Sequence, residues 1–143
     1  FSYRSKFCAA DGLLLAGDAF AFLDPVFSSG VFLALKSGEM AADAVDAALT
    51  SGDTGGAQFA DYGNHLCDAI ESMRTLVYAF YDVNFSFGKM LKRHPQHRGR
   101  LTDCLIGDLM GDFSGLFSAV GELAQTPLPL PHGREAAPSL AGV

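Results

Sequence analysis

The sequence predicts a mainly α-helical chain with a short β segment at its N-terminus. Residues 1–7, FSYRSKF, alternate large apolar residues with polar ones, which is the period-two pattern of a strand. From Gly30 onward, apolar residues recur every three or four positions, which is the period of a helix. The clearest such run covers about residues 57–82. The change of period near Gly30 therefore places strands first and helices after them.

A second strand is predicted over Leu13–Ala16, because this apolar run is too short for a helix and is bounded by Gly and Asp. Residues 8–12 then form the turn between the two strands. Two strands alone are only marginally stable, so we expect their sheet partners to lie outside this chain or in a second copy of it. An unpaired sheet edge attracts other chains. We therefore predict a homo-oligomer or an intermolecular contact along residues 1–16.

Two long helices should follow. The first begins at Gly30 and has an apolar face, interrupted by Gly38, of Val31, Ala34, Leu35, Ala41, Ala42, Val45, Ala48 and Leu49. The turn-forming residues 50–56, TSGDTGG, link it to the second helix at about 57–82. The face of the second helix is the more regular one, with Phe59, Tyr62, Leu66, Ile70, Met73, Leu76 or Val77, and Phe80.

The remaining chain is predicted to hold shorter helices and an extended end. An aromatic segment over 85–93 should end before Pro95, and residues 101–123 read as one long helix or as two short ones with a break at 111–115. Beyond Thr126 the Pro-, Gly- and Ala-rich sequence has no periodicity and should be extended or disordered. These patterns divide the chain into regions 1–50, 51–125 and 126–143.

Composition excludes several classes of function. A net charge of −6 and a pI near 4.9 argue against a nucleic-acid partner, and the basic run 89–100 is interpreted as a solvated surface. No apolar stretch is long enough to span a membrane. Cys8, Cys67 and Cys104 have no metal-binding spacing and are predicted to be reduced and buried, as in a cytoplasmic protein. The four histidines form no ligand set, so no metal and no catalytic residue of this chain's own is predicted.

Residues 11–31, DGLLLAGDAFAFLDPVFSSGV, hold the candidate chemistry. Asp18 follows a strand, where a carboxylate can accept hydrogen bonds from vicinal hydroxyls, or it can simply cap a turn. Ser28-Ser29-Gly30 opens a helix whose free N–H groups favour an anion, although a serine there can also be an ordinary N-cap. Residue spacing alone leaves both alternatives open.

The strings SYRS and DGLLLAGDAFAFLDPVFSSGVFLAL resemble a segment of the flavin-dependent halogenases, within the FAD monooxygenases of the para-hydroxybenzoate hydroxylase type. Asp11-Gly12 and Gly17-Asp18-Ala19 match the flavin-contacting motif of that class, and residues 24–31 match the halogenase form. The resemblance is strong over residues 2–48 and weaker in the YAFYD and FSFGKML segments. It implies the C-terminal portion of an FAD-binding α/β, Rossmann-like oxidoreductase, with residues 1–50 left over from the FAD domain.

The resemblance also implies roles for particular residues. Asp18 would bind the flavin ribitol, Pro25 and its loop would lie along the isoalloxazine, and Gly17, Gly30 and Val31 would complete the flavin contacts. The N–H groups of Ser29 and Gly30 would hold a halide, which reduced flavin and O₂ convert to hypohalous acid. A separate flavin reductase and an aromatic substrate, free or bound to a carrier protein, would be the partners.

Two departures limit this expectation. Halogenases of free tryptophan have a Glu where this sequence has Phe27, so the resemblance is to halogenases of phenolic or pyrrolic substrates. The family's GxGxxG motif and its halogen-relaying lysine belong to an N-terminal part that this sequence lacks, so the chain resembles a fragment that is inactive alone. A hydroxylating or dehydrogenating flavoenzyme, and a helical interaction domain without catalysis, remain the alternatives.

Overall fold

The computed structural model describes residues 2–106, 108 and 111–139. The chain is mostly helical, as the periodicity predicts, and its short strands all precede the first helix. The five α-helices are α1 (Gly30–Ser51), α2 (Ala60–Tyr81), α3 (Phe87–Arg93), α4 (Arg98–Leu105) and α5 (Ser114–Gly121).

The strands pair within the chain, so the expectation of partners elsewhere is wrong for them. Four two-residue strands are present: β1 (Tyr3–Arg4), β2 (Ala9–Ala10), β3 (Leu13–Leu14) and β4 (Ala21–Phe22). Antiparallel pairs form between β1 and β4 and between β2 and β3. The β2–β3 hairpin closes through Asp11-Gly12, where Gly12 has a φ of +69° that favours glycine. Sequence reasoning missed β2 and β4 because two-residue strands carry no periodic signal. An oligomer stays a prediction.

The helix α1 runs from Gly30 to Ser51, and its predicted apolar face is buried only in part. Val31 is 74% exposed, and Leu35 and Leu49 are also largely exposed. The residues of α1 that are buried are Leu33, Ser37 and Ala48. Of the predicted face, Ala48 is buried and Ala41 packs against the core, whereas the large residues Val31, Leu35 and Leu49 face away from it.

The helix α2 forms the centre of the core, and its predicted face is confirmed except at its last position. Phe80 is half exposed, whereas the buried residues of the helix include Tyr62, Leu66, Cys67, Ile70, Met73, Leu76 and Val77. A short 3₁₀ turn, Gly56–Phe59, precedes the helix.

Residues 101–123 were predicted to form one long helix or two short ones, and the structure has two short ones, α4 and α5. The chain turns at Pro95–His97 in a 3₁₀ turn between α3 and α4. Leu109 and Met110, which were expected in this helical face, lie outside the described residues. Among the residues that the structure describes, no helix is long and apolar enough to cross a membrane.

The last described residues form an ordered extended strap across β2 and α2. The N–H of Cys8 donates to the carbonyl of Glu135 at 3.0 Å, and Ala136 forms a parallel bridge with Ala9. A side chain also holds this segment in place: the guanidinium of Arg4 donates to the carbonyl of Leu130 at 2.8 Å. Residues 126–139 contain no helix, and the division of the chain into three regions stays a prediction.

An ion cluster anchors this strap to α2. Glu71 accepts from Arg4 and from Arg74, each at 2.8 Å, and its carboxylate also accepts from the N–H of Leu130 at 3.2 Å. All three charged side chains are largely buried, with 14% exposure at Glu71 and less at both arginines. A buried carboxylate satisfied in this way ties the first strand, the central helix and the C-terminal segment together.

Candidate functional site

The GDA sequence forms a 3₁₀ turn, Gly17–Ala19, that is fastened to α1. The N–H of Gly17 donates to Ser37 Oγ at 2.8 Å, and that buried hydroxyl donates in turn to the carbonyl of Ala34 at 3.0 Å. Gly17 has a φ of +52°, and a Cβ there would lie 3.3 Å from Cβ of Ala34. Both the backbone conformation and the close approach therefore favour glycine at this position.

The side chain of Asp18 is exposed at this turn. Its backbone carbonyl accepts a hydrogen bond from Tyr3 Oη, which ties the turn to β1. Asp18 lies in the first turn of this 3₁₀ segment, whose N-cap position is Ala16, whereas Asp24 accepts from the N–H of Val26 in the next turn. An exposed carboxylate on a fixed turn can accept hydrogen bonds from hydroxyl groups of a ligand.

The DPVFSS sequence forms a second turn that leads into α1. Asp24 Oδ1 accepts from the N–H of Val26 at 3.3 Å, and the exposed Pro25 opens the 3₁₀ turn Pro25–Phe27. The N–H of Ser28 donates to the carbonyl of Pro25 at 2.9 Å. Ser28 itself has a φ of +54°, which is unusual for a residue with a side chain. The turn therefore holds a strained conformation immediately before the helix.

The N-terminus of α1 carries unsatisfied donors. The first helical hydrogen bond runs from the N–H of Leu33 to the carbonyl of Ser29 at 2.9 Å, so the N–H groups of residues 30–32 have no acceptor in the helix. Ser29 occupies the N-cap position, but its side chain makes no capping hydrogen bond. The ordinary N-cap alternative is therefore not what this serine does. Free N–H groups at the start of a 22-residue helix favour an anion.

Both turns sit on the same end of α1. Gly17 packs against Ala34, one helical turn after Gly30, so the turn that carries the exposed Asp18 lies against the first turns of α1, whereas Ser29 at the helix start is buried. Val31 and Leu35 add exposed apolar area on the same two turns of the helix. This combination suits a ligand with hydroxyl groups, an anionic group and an apolar part.

The structure also shows an aromatic cluster that sequence reasoning missed. The ring of Phe27 packs edge-to-face on Phe80 and on Phe87, with centroids 5.6 and 6.4 Å apart. Beside it, Tyr81 Oη donates to Asp24 Oδ1 at 2.9 Å. This hydrogen bond lowers the pKa of Asp24 and raises the pKa of Tyr81. The density of aromatic residues at 80–87 was the available signal, but its partner, Phe27, lies more than fifty positions away.

The three cysteines confirm their predicted place in the core, since Cys8, Cys67 and Cys104 are all fully buried and unpaired. Burial raises the pKa of each thiol, and that of Cys104 to about 12. Across residues 2–106, 108 and 111–139, no three His, Cys, Asp or Glu side chains lie close enough together to hold a metal ion.

A strand-turn-helix unit with a surface carboxylate and an anion-favouring helix start suits a cofactor that carries hydroxyl groups and an anionic group. Known proteins make the class more specific, although no family model matches the chain. It is 30% identical over 109 residues, 76% of its length, to 1H-pyrrole-2-carbonyl-(peptidyl-carrier protein) chlorinase from Pseudomonas fluorescens. It is 51% identical over 53 residues, 37% of its length, to the corresponding brominase from Pseudoalteromonas luteoviolacea. Tryptophan 2-halogenase from Chondromyces crocatus is 36% identical over 86 residues, 59% of the chain.

A flavin-dependent halogenase from Armillaria mellea is also similar, 47% identical over 49 residues, 34% of the chain, and together these relatives confirm the resemblance to flavin-dependent halogenases. The matched stretches cover 24% of the chlorinase, 13% of the brominase and 16% of the tryptophan halogenase. The chain thus spans about a quarter or less of the length of these curated relatives.

Proposed function

We propose that this chain is part of a flavin-dependent halogenase and forms one side of its flavin and halide sites. The observation that carries the proposal is the placement of the GDA turn and the free helix start on one end of α1, in a chain similar to several halogenases. In this proposal residues 1–50 belong to a Rossmann-like FAD-binding domain, and residues 51–125 and 126–143 form the helical region and tail that cover it.

FAD fits the residues that this surface offers. The exposed carboxylate of Asp18 would accept hydrogen bonds from the ribitol hydroxyls, on a turn that Gly17 fixes against α1. Pro25, Gly30 and Val31 would lie along the isoalloxazine. Each of these three residues is exposed, and a Cβ on Gly30 would meet nothing within 4 Å, so this surface is open to a planar ligand.

The halide would be held by backbone donors. The N–H groups of Ser29 and Gly30 lie at the positive end of the α1 macrodipole, where an anion is stabilised without a charged side chain. Reduced FAD together with O₂ supplies the oxidising equivalent that converts halide to hypohalous acid. The residues of this chain would bind and orient the anion, and none of them needs to donate or accept a proton.

An aromatic substrate of the phenolic or pyrrolic type is the proposed acceptor, delivered on a carrier protein or free. Two relatives act, by name, on a pyrrole-2-carbonyl group attached to a peptidyl-carrier protein. Phe27 stands where tryptophan halogenases have a glutamate, which favours the same substrate class. A separate flavin reductase would supply the reduced flavin, and the cytoplasm is the proposed compartment.

The first test measures FAD retention in the complete natural protein that contains this chain. Asp18→Ala should weaken FAD binding about ten- to a hundredfold, the equivalent of one or two hydrogen bonds to a carboxylate. Asp46→Ala removes another exposed carboxylate from α1, well away from its start, and serves as the matched control. Equal FAD content in the two variants would contradict the role of Asp18.

The second test measures the reaction itself. With reduced FAD, O₂ and bromide, the complete protein should form hypobromous acid, detected by bromination of a phenol-based acceptor dye. Offering pyrrole-2-carbonyl carrier protein, a phenol and free tryptophan in competition then ranks the substrate classes. A hydroxylated product with no bromination would contradict the proposal and favour a flavin hydroxylase.

A further inference from the structure

The loop of residues 24–29 has a backbone conformation that its own local hydrogen bonds do not determine. Ser28 adopts a left-handed backbone conformation, which a residue with a Cβ keeps only where the surroundings enforce it. The bonds from Ser28 N–H to Pro25 and from Val26 N–H to Asp24 are local. Local bonds of this kind can form in several turn types. Something outside the loop must therefore select this one.

Contacts from α2 and from the segment that follows it hold two residues of the loop. The ring of Phe27 meets the rings of Phe80 on α2 and Phe87 on α3, with interplanar angles of 76° and 73°. Edge-to-face pairs have a defined geometry, so they fix the direction of the Phe27 side chain. At the start of the loop, Asp24 accepts the hydrogen bond from Tyr81 Oη at 2.9 Å.

The cluster extends beyond these contacts, which makes it a rigid support. Phe87 packs on Phe85 with centroids 4.9 Å apart, and Phe80 packs on Tyr81 at 5.4 Å. Phe27 is the residue that the loop itself contributes, and it directly precedes the strained Ser28. A ring held by two helices leaves the following residue little freedom to change its backbone angles.

We propose that Phe27 is a positioning residue that, clamped by Phe80 and Phe87, holds the turn that aims the N–H groups of Ser29 and Gly30 at the halide. The proposal rests on the proposed function for the identity of the anion. In this proposal the helical region contributes to the site, because α2 and α3 fix the conformation of a loop that belongs to the preceding segment.

The test compares Phe80→Leu with Tyr78→Leu in the complete natural protein. Phe80 is half exposed and Tyr78 is similarly exposed on the same helix, so neither change should prevent folding. The ring of Tyr78 faces the guanidinium of Arg74 and makes no contact with Phe27 among the described ring pairs. Tyr81→Phe removes the hydrogen bond to Asp24 and leaves the ring in place.

The first readout is the KM for bromide, measured in each variant together with kcat and FAD content. Phe80→Leu should raise the bromide KM about tenfold, the effect of losing one aromatic pair, with FAD content unchanged. Tyr81→Phe should raise it less, and Tyr78→Leu should leave it unchanged. A bromide KM within twofold of the wild type in Phe80→Leu would overturn the proposal, as would an equal rise in Tyr78→Leu.

The second readout does not depend on halogenation. Hydrogen exchange of a peptide covering residues 25–32 should accelerate about tenfold in Phe80→Leu and stay unchanged in Tyr78→Leu. If the wild type forms no hypobromous acid but this difference is seen, the proposed function fails and the positioning role stands. Unchanged exchange in Phe80→Leu overturns the positioning role even when the protein halogenates.

Discussion

The helices α1 and α2 have the same length of 22 residues and opposite relations to the core. α1 buries three residues, whereas α2 buries eleven. Both carry an apolar row at helical spacing, but the large residues of the row on α1, Val31, Leu35 and Leu49, are exposed, and of that row only Ala48 is buried. A helical period shows that a face is apolar, and it does not show what covers that face. In the proposed function, the flavin and the rest of its domain would cover the face of α1.

The largest effect of a single substitution on the free energy of unfolding is expected in the middle of α2. Met73 is fully buried and its sulfur lies 4.0 Å from Sγ of Cys104. Met73→Ala should lower the free energy of unfolding by about 2–5 kcal/mol, because it removes buried apolar surface and leaves a cavity. Urea unfolding followed by circular dichroism measures this change. A loss below about 1 kcal/mol would mean that α2 is not the centre of the core.

A slightly smaller effect is expected at the ion cluster of α2. Glu71→Ala would leave Arg4 and Arg74 buried without their carboxylate, so the free energy of unfolding should fall by about 3 kcal/mol. Glu39→Ala, which removes the exposed pair with Lys36 on α1, is the matched control and should cost less than about 1 kcal/mol. Equal losses in the two variants would contradict the burial of the cluster.

The buried thiols predict a loss of stability in alkali. Burial raises the pKa of Cys8, Cys67 and Cys104 in the folded chain, so the folded state keeps them protonated where the unfolded chain ionises them. Their contribution is complete below the unfolded pKa of about 8.5 and is lost as the pH rises from there toward 12. The urea midpoint should therefore fall between pH 8 and pH 10, less steeply in Cys104→Ala. Equal slopes in the two proteins would contradict the burial of Cys104.

The smallest effect is expected on the exposed face of α1. In the chain of 143 residues, Leu35→Ala should change the free energy of unfolding by less than about 0.5 kcal/mol, since Leu35 is 71% exposed. In the complete protein the same change should cost about 2 kcal/mol or more, because the proposed FAD domain would bury this side chain. Comparing the two measurements tests directly whether α1 is a covered surface, and equal small losses in both would show that it is not.

Local sequence patterns predicted the elements better than their surroundings. The positions of α1 and α2 follow from periodicity within a few residues, and most of the α2 face is correct. The exposure of Val31, Leu35 and Leu49 on α1 could not be predicted, because burial depends on a partner that the period does not encode. Phe80 was wrong for a related reason, since it lies at the helix end and packs on Phe27, outside the main core.

In the candidate site, too, the residues of a local motif could be predicted and the tertiary contacts could not. Asp18, Ser29 and Gly30 could be selected from a contiguous motif, in which the turn of Asp18 packs against α1 and Ser29 and Gly30 lie at the start of that helix. The aromatic clamp could not be selected, because Phe27 meets Phe80 and Phe87 only through tertiary packing. The ordered strap was unpredictable for a similar reason: its order comes from hydrogen bonds to Cys8, Arg4 and Glu71, while its own sequence has no period.

The strap has a consequence for how this chain folds during synthesis. Arg4 and the carbonyl that it contacts at Leu130 are 126 residues apart in the chain. The guanidinium of Arg4 can reach this acceptor only after nearly all of these residues have left the ribosome, while α1 and α2 can form from local contacts much earlier. Contacts of such long sequence separation close late and slow the final step of folding. The side-chain contact of Arg4 with the strap is thus among the last to form, although β1 can pair with β4 much earlier.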